Sequence, residues 1–165
     1  MRSKDGGKTW QSVREGLDMD VHQVAAHPAE PAIVFAATAG GFHFSDDHGE
    51  TFVARNEGFP YLYQRACACF GSGEIYLAST SRGPHGGADA LLLRSGDAGK
   101  KWERVNGLLE PLEKNIDTHQ ILILGEKRAL VIVNDTILYE TDDTGIHWRK
   151  IGDFPRLFGG LAVEE

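Results

Sequence analysis

Two short phrases in this 165-residue chain place a histidine and a glutamine just behind an acid. His22-Gln23 follows Asp20, and His119-Gln120 follows Asp117. Each pair opens a run of apolar residues, so each sets an imidazole and an amide at the start of a strand. Tyr63-Gln64-Arg65 opens a third such run between them. Neutral imidazoles can hydrogen-bond a polar ligand near pH 7, and the planar fork of Arg65 matches a carboxylate in bidentate fashion. The segment SRGPHGGAD at 81–89 adds Asp89 and His85, the latter with no evident structural duty. The candidate ligand-binding residues are therefore His22, Gln23, Tyr63, Arg65, His85, Asp89, His119 and Gln120. No metal is expected, because His22 and His119 belong to separate units too far apart to share one tetrahedral ion. Cys67 and Cys69 stand two apart on one strand and are expected to be packed thiols, since same-face neighbours do not bridge without strain. The chain has no Gly-x-Ser-x-Gly elbow, phosphate loop or zinc motif. No cofactor is expected.

What must position these residues is a phrase that occurs four times: RSKDGGKTW (2–10), FSDDHGETF (44–52), RSGDAGKKW (94–102) and ETDDTGIHW (140–148). Ser3, Ser45, Ser95 and Thr141 share a column, as do Asp5, Asp47, Asp97 and Asp143. So do Gly7, Gly49, Gly99 and Gly145, and then Trp10, Phe52, Trp102 and Trp148. The aspartates lie 42, 50 and 46 residues apart, a period that marks an array of supersecondary units. An Asp in a tight turn accepts backbone N–H bonds, and a hydroxyl two residues before it can do the same. The Gly two residues later supplies a positive φ. The aromatic residue is expected to open the next strand and pack across the hairpin. That puts Trp10, Trp102 and Trp148 in the core.

Between these turns the chain runs in short apolar or alternating stretches cut by Gly, Pro and Asp, with no convincing helix. They group into four-strand units at 20–56, 62–106 and 116–152, with partial units at 1–16 and 156–165. The first two strands of each unit are the most apolar, as expected of strands buried on both faces.

The pattern Ser-x-Asp-x-Gly-x-Thr-Trp resembles the Asp-box, or bacterial neuraminidase (BNR), repeat. The first copy matches throughout, at Ser3, Asp5, Gly7, Thr9 and Trp10; the others depart at Phe52, at Lys101, and at Thr141 with His147. The resemblance implies an all-β fold, a β-propeller of four-stranded antiparallel blades with the box turns on one face and ligands met on the other. A blade takes about 40–50 residues and a seven-bladed ring roughly 300. The chain is accordingly read as a fragment, three complete blades with a partial blade at each end. Missing blades or self-association are expected to cover its open sides. In this frame the His-Gln pairs, Tyr63, Arg65 and the 81–89 insertion fall on the ligand face.

The family includes non-catalytic scaffolds, such as photosystem II assembly factors and sortilin-type receptors. It also includes glycosidases such as sialidases and xyloglucan-cleaving enzymes. The box is common to both and says little about chemistry. A glycosidase needs two facing carboxyls; Asp20, Asp89 and Asp117 are the candidates on the ligand face, and the Arg-Ile-Pro signature of sialidases is absent. The favoured reading is a non-catalytic binding or scaffold module for a small molecule, glycan or protein. The alternative is a glycoside hydrolase, sialidase- or xyloglucanase-like, whose catalytic residues lie partly outside the chain. A net charge of −7 with no basic face argues against nucleic acid. No run approaches the ~20 apolar residues of a membrane helix. The lack of a signal peptide and of a disulfide framework favours the cytoplasm.

Overall fold

The computed structural model describes residues 1–83, 89–106, 120–133 and 135–157. Among these the chain forms strands and no helix. The strands are β1 Val21–Ala26, β2 Val34–Thr38, β3 Gly41–Ser45, β4 Val53–Ala54, β5 Cys67–Cys69, β6 Tyr76–Thr80, β7 Leu91–Ser95, β8 Glu103–Arg104, β9 Gln120–Ile123, β10 Ala129–Val133, β11 Ile137–Thr141 and β12 Arg149–Asp153. They pair in chain order into three four-stranded sheets, β1–β4, β5–β8 and β9–β12. Every pairing is antiparallel. This is the all-β, three-blade architecture expected, with an Asp-box turn joining the third and fourth strands of each sheet. Residues 1–16 add a bridge between Arg2 and Gln11. Most of the unit expected at 156–165 lies outside the described residues.

Each box closes on itself through bonds that span only a few residues. The Ser or Thr hydroxyl donates to Oδ1 of the Asp, at 2.9, 2.7, 2.7 and 2.8 Å in the four copies. It accepts the N–H of the Gly four residues on. The same Oδ1 takes the N–H four residues past the Asp. Thr9 and Thr51 add a hydroxyl bond to Oδ2 at 2.7 Å, and in the fourth copy the ring Nδ1 of His147 takes that place at 2.6 Å. Hydrogen bonds to a carboxylate favour its charged form. The Thr9 N–H leads in holding Asp5 at about 2. At Asp143 burial pushes upward, yet the His147 N–H and ring and the Thr141 hydroxyl together bring it to about 2. Asp47 and Asp97 are likewise held below the usual range, led by the Thr51 hydroxyl and the Lys101 N–H.

The aromatic residues precede the fourth strands instead of opening them: Phe52, Trp102 and Trp148 stand just before β4, β8 and β12. Each indole N–H returns to the carbonyl of its box glycine, at 3.0, 3.0 and 3.1 Å for Trp10, Trp102 and Trp148. Trp102 is 2% exposed, its ring 4.9 Å from Phe42 and 5.1 Å from Phe59. Trp148 packs at the edge of the core. Trp10 corrects the expectation, being 57% exposed. The bridge at 1–16 provides no sheet for it to cover.

Alternation along the strands makes two cores. Tyr76 and Ala78 of β6 face Phe35, Phe42 and Trp102 at the seam between the first two sheets, whereas Leu77 faces Val131 and Val133 at the next seam. An arginine locks each seam. Arg55 Nη1 donates to the Ala98 carbonyl at 2.7 Å, and Arg94 Nε to the Thr144 carbonyl at 2.8 Å. The N–H groups of those two residues bond the first hairpin of their own sheets, Ala98 to Glu74 at 3.1 Å and Thr144 to Lys127 at 2.9 Å. The equivalent N–H of His48 bonds Ala32 at 2.8 Å. Two of the three first strands are less buried than expected: β1 and β9 are largely intermediate, whereas β5 is buried throughout and β2, β3 and β6 almost wholly so. Each first strand is paired on one side only, but β5 lies against β1 and β9 of the sheets on either side, whereas β1 and β9 each meet one such neighbour.

Candidate functional site

The first-strand starts and the β2–β3 and β6–β7 turns gather on the face opposite the boxes. Backbone bonds tie them into one surface: Ala39 N–H to Asp20 at 3.0 Å, Gln64 N–H to Thr38 at 2.9 Å and Ser81 N–H to Tyr63 at 2.9 Å. Here His22 bonds the Gln64 carbonyl through Nδ1. A carbonyl only accepts, so Nδ1 carries a proton, and Nε2 is the atom facing Asp20 Oδ2 at 3.4 Å. The His22 ring lies 4.9 Å from that of Tyr63, and the Arg65 guanidinium lies 5.1 Å from the Tyr63 ring centre. The structure thus brings His22, Tyr63 and Arg65 together as a tilted cluster across the first seam. Much of this polarity is spent on joining sheets. The His22 side chain is 8% exposed, and Gln23 Oε1 accepts the Cys67 N–H at 2.9 Å. Asp20, at 65% exposed, is the group that reaches solvent. Gln120 opens β9 and pairs with Ile132. His85, His119 and Asp117 lie outside the described residues.

Asp89 belongs to a second group. Its Oδ2 receives Arg82 Nε at 2.8 Å and the Tyr61 hydroxyl at 3.2 Å. Arg82 Nε also reaches the Tyr61 hydroxyl at 3.1 Å, with its guanidinium 5.2 Å from that ring's centre. Three elements supply these side chains: the connector into β5, the end of β6 and the start of β7. Asp89 itself has φ of 72°, a left-handed conformation that Asp adopts more readily than most residues. Tyr61 and Arg82 are absent from the sequence-derived set. The signal for Arg82 was position, since it stands with Asp89 at the two ends of the 81–89 insertion.

Among the described residues no group of three or more His, Cys, Asp or Glu side chains is placed to hold a metal ion. Both cysteines are buried free thiols. Burial pushes Cys69 up to about 11 and raises Cys67 as well. No helix of the described residues is long and apolar enough to cross a membrane.

The BNR/Asp-box repeat family model matches residues 1–12. Along nearly its whole length the chain is similar to curated xyloglucanases. It is 25% identical over 172 aligned positions to the oligoxyloglucan-reducing end-specific xyloglucanase of Emericella nidulans, covering 96% of this chain. It is 29% identical over 177 positions to a probable enzyme of the same description from Neosartorya fischeri, covering 98%. The chain spans 20% of the length of each. Among solved structures, the GH74 xyloglucanase from Xanthomonas campestris matches with a TM-score of 0.66 and 23% identity, over 89% of this chain and 23% of that one. At that identity the match bears on fold alone.

Two expectations are thereby corrected. The non-catalytic scaffold reading falls, because the curated proteins similar along the whole chain are named as glycosidases. The box turns are common to both classes and could not separate them. The cytoplasmic preference falls with it, since xyloglucan is a polysaccharide met outside the cell. The repeat itself stands: three box turns join the third and fourth strands of the three meandering sheets, a fourth lies at residues 2–10 where the BNR/Asp-box repeat model matches, and the sheets have the fold of a β-propeller.

Proposed function

We propose that this chain is part of a glycoside hydrolase acting on xyloglucan-type β-glucans, and that it forms one wall of the glycan cleft. The observation that carries the reading is the similarity to two xyloglucanases along 96% and 98% of the chain. The geometry is compatible in one specific respect. Asp20 and Asp89 place carboxylates on the face opposite the box turns, Asp20 backed by His22 and Asp89 charge-paired with Arg82. Glycoside hydrolysis takes two carboxyls, one protonating the departing oxygen and the other attacking the sugar or activating water from the opposite side. Asp20, the freer of the two, is the candidate for one of them, with His22 beside it and Tyr63 and Arg65 behind His22. Its counterpart would come from outside the described residues.

The test is hydrolysis by the full-length protein of xyloglucan oligosaccharides, with cello-oligosaccharides and a sialyl-lactose as comparisons, read as reducing ends released. Cleavage of the xyloglucan substrate, strongly reduced in Asp20→Asn, is the expected result. A folded protein that releases nothing from any β-glucan refutes the reading.

A further inference from the structure

We infer that the mouth of the seam between the first and second sheets is a subsite for one neutral pyranose ring. The choice of a β-glucan as its ligand rests on the hydrolase reading above. A pocket of about 480 Å³ opens there, with Pro60, Tyr61, Asp89, Leu91, Leu93 and Arg104 in its wall. That volume falls within the roughly 300–1,000 Å³ of small-molecule sites. Its floor is Leu93, 1% exposed and packed into the core with Phe42 and Trp102, so the pocket rests on a rigid base.

The polar groups are arranged for hydroxyls. Both bonds to the Asp89 carboxylate, from Arg82 and from Tyr61, fall on Oδ2. Among the described residues Oδ1 receives none, so one acceptor is held in place by the other oxygen's partners. Arg104, exposed at the end of β8, makes no ion pair among the described residues and contributes donors. A sugar hydroxyl both donates and accepts, so neighbouring hydroxyls of one ring can give a proton to Asp89 Oδ1 and take a bond from Arg104. The apolar C–H face of a pyranose would lie against Pro60, Tyr61 and Leu91. A charged sugar fits less well, because pairing its carboxylate with Arg104 brings it beside Asp89.

The experiment is calorimetric titration of this chain with cellotetraose and a xyloglucan heptasaccharide, with trigalacturonate as the charged probe. Saturable binding of the neutral glycans is expected. Tyr61→Ala should weaken it by about tenfold or more, and Arg104→Ala by several-fold. The Arg104 side chain is exposed and makes no ion pair among the described residues, so that variant stays informative should Tyr61→Ala fail to fold. Binding left unchanged by Arg104→Ala and by any folded Tyr61 variant overturns the subsite. So does the absence of saturable binding, or tighter binding of trigalacturonate. Glycan binding that depends on these side chains without any hydrolysis would remove the hydrolase reading and leave the subsite standing. Hydrolysis indifferent to both variants would do the reverse.

Discussion

Gly99 and Gly49 hold the same place in successive boxes and share a φ of +75°, yet only Gly99 faces a neighbouring sheet closely. A Cβ at Gly99 would stand 2.8 Å from Cε1 and 3.4 Å from Cζ of Phe42; at Gly49 it would meet nothing nearer than 3.7 Å. An alanine at either position carries the left-handed penalty of about 1–2 kcal/mol. Roughly 0.4–1 kcal/mol is returned, because the unfolded chain loses the freedom of a glycine. Gly49→Ala should therefore cost about 1 kcal/mol. At Gly99 the ring of Phe42 must also move, and it has little room to do so. It is fully buried, with ring centres at 5.8 Å to Phe35, 5.9 Å to Tyr76 and 4.9 Å to Trp102. Overpacking of this kind costs about 1–3 kcal/mol, so Gly99→Ala should lose about 2–4 kcal/mol in total. Urea unfolding followed by tryptophan fluorescence measures the two variants as shifts in midpoint at constant slope. Equal losses would refute the argument, since they would show the turn conformation, and not the interlock with Phe42, to be the whole requirement.

Trp102→Ala should cost about 3–5 kcal/mol, whereas Trp10→Ala should change stability by under about 0.5 kcal/mol, in keeping with their burial; similar losses in a urea melt would contradict the assignment of Trp10 to the surface. The box aspartates titrate lower folded than unfolded, so their stabilisation is complete above the unfolded value near 4 and is lost as pH falls through about 2. Thermal melts from pH 5 to pH 2 should show Tm declining across that window, less steeply in Asp143→Asn; a flat profile to pH 2.5 would rule out this contribution. Cys67 and Cys69 should ignore an aromatic disulfide reagent at pH 8 until urea unfolds the chain, and stoichiometric labelling of the native protein would show their burial to be wrong.

The boxes were legible in the sequence because their bonds are local: Ser45 to Asp47, Ser45 to Gly49 and Asp47 to Thr51 close within seven residues. Trp10 was misplaced for the opposite reason. Its burial depends on strands beneath the turn, and an identical octet reads the same with or without them. The cluster of His22, Tyr63 and Arg65 was partly legible, since each stands at a strand start. The commitment of His22 to the Gln64 carbonyl and of Gln23 to the Cys67 N–H was not, because those partners lie on the next sheet. Tyr61 was overlooked because it sits in a connector, and only the turn between β6 and β7 brings Arg82 and Asp89 to it. Activity was hidden for a different reason: a turn that serves structure in scaffolds and hydrolases alike cannot report which of them it serves.

The two arginine locks bear on how such an array can be altered by duplication. The peptide group they grip is the same in both boxes, but the grip comes from different places: Arg55 follows β4, the last strand of its sheet, whereas Arg94 lies on β7, the third of its own. A copied sheet would carry its carbonyl socket along but would not bring the matching guanidinium to the right position on its new neighbour. The repeats are therefore equivalent within each sheet and individual at the joints between them. A shuffled or tandem-duplicated version of this chain should keep its turns and lose its seams, so that changes of blade number would require new joints to evolve alongside the copied blade.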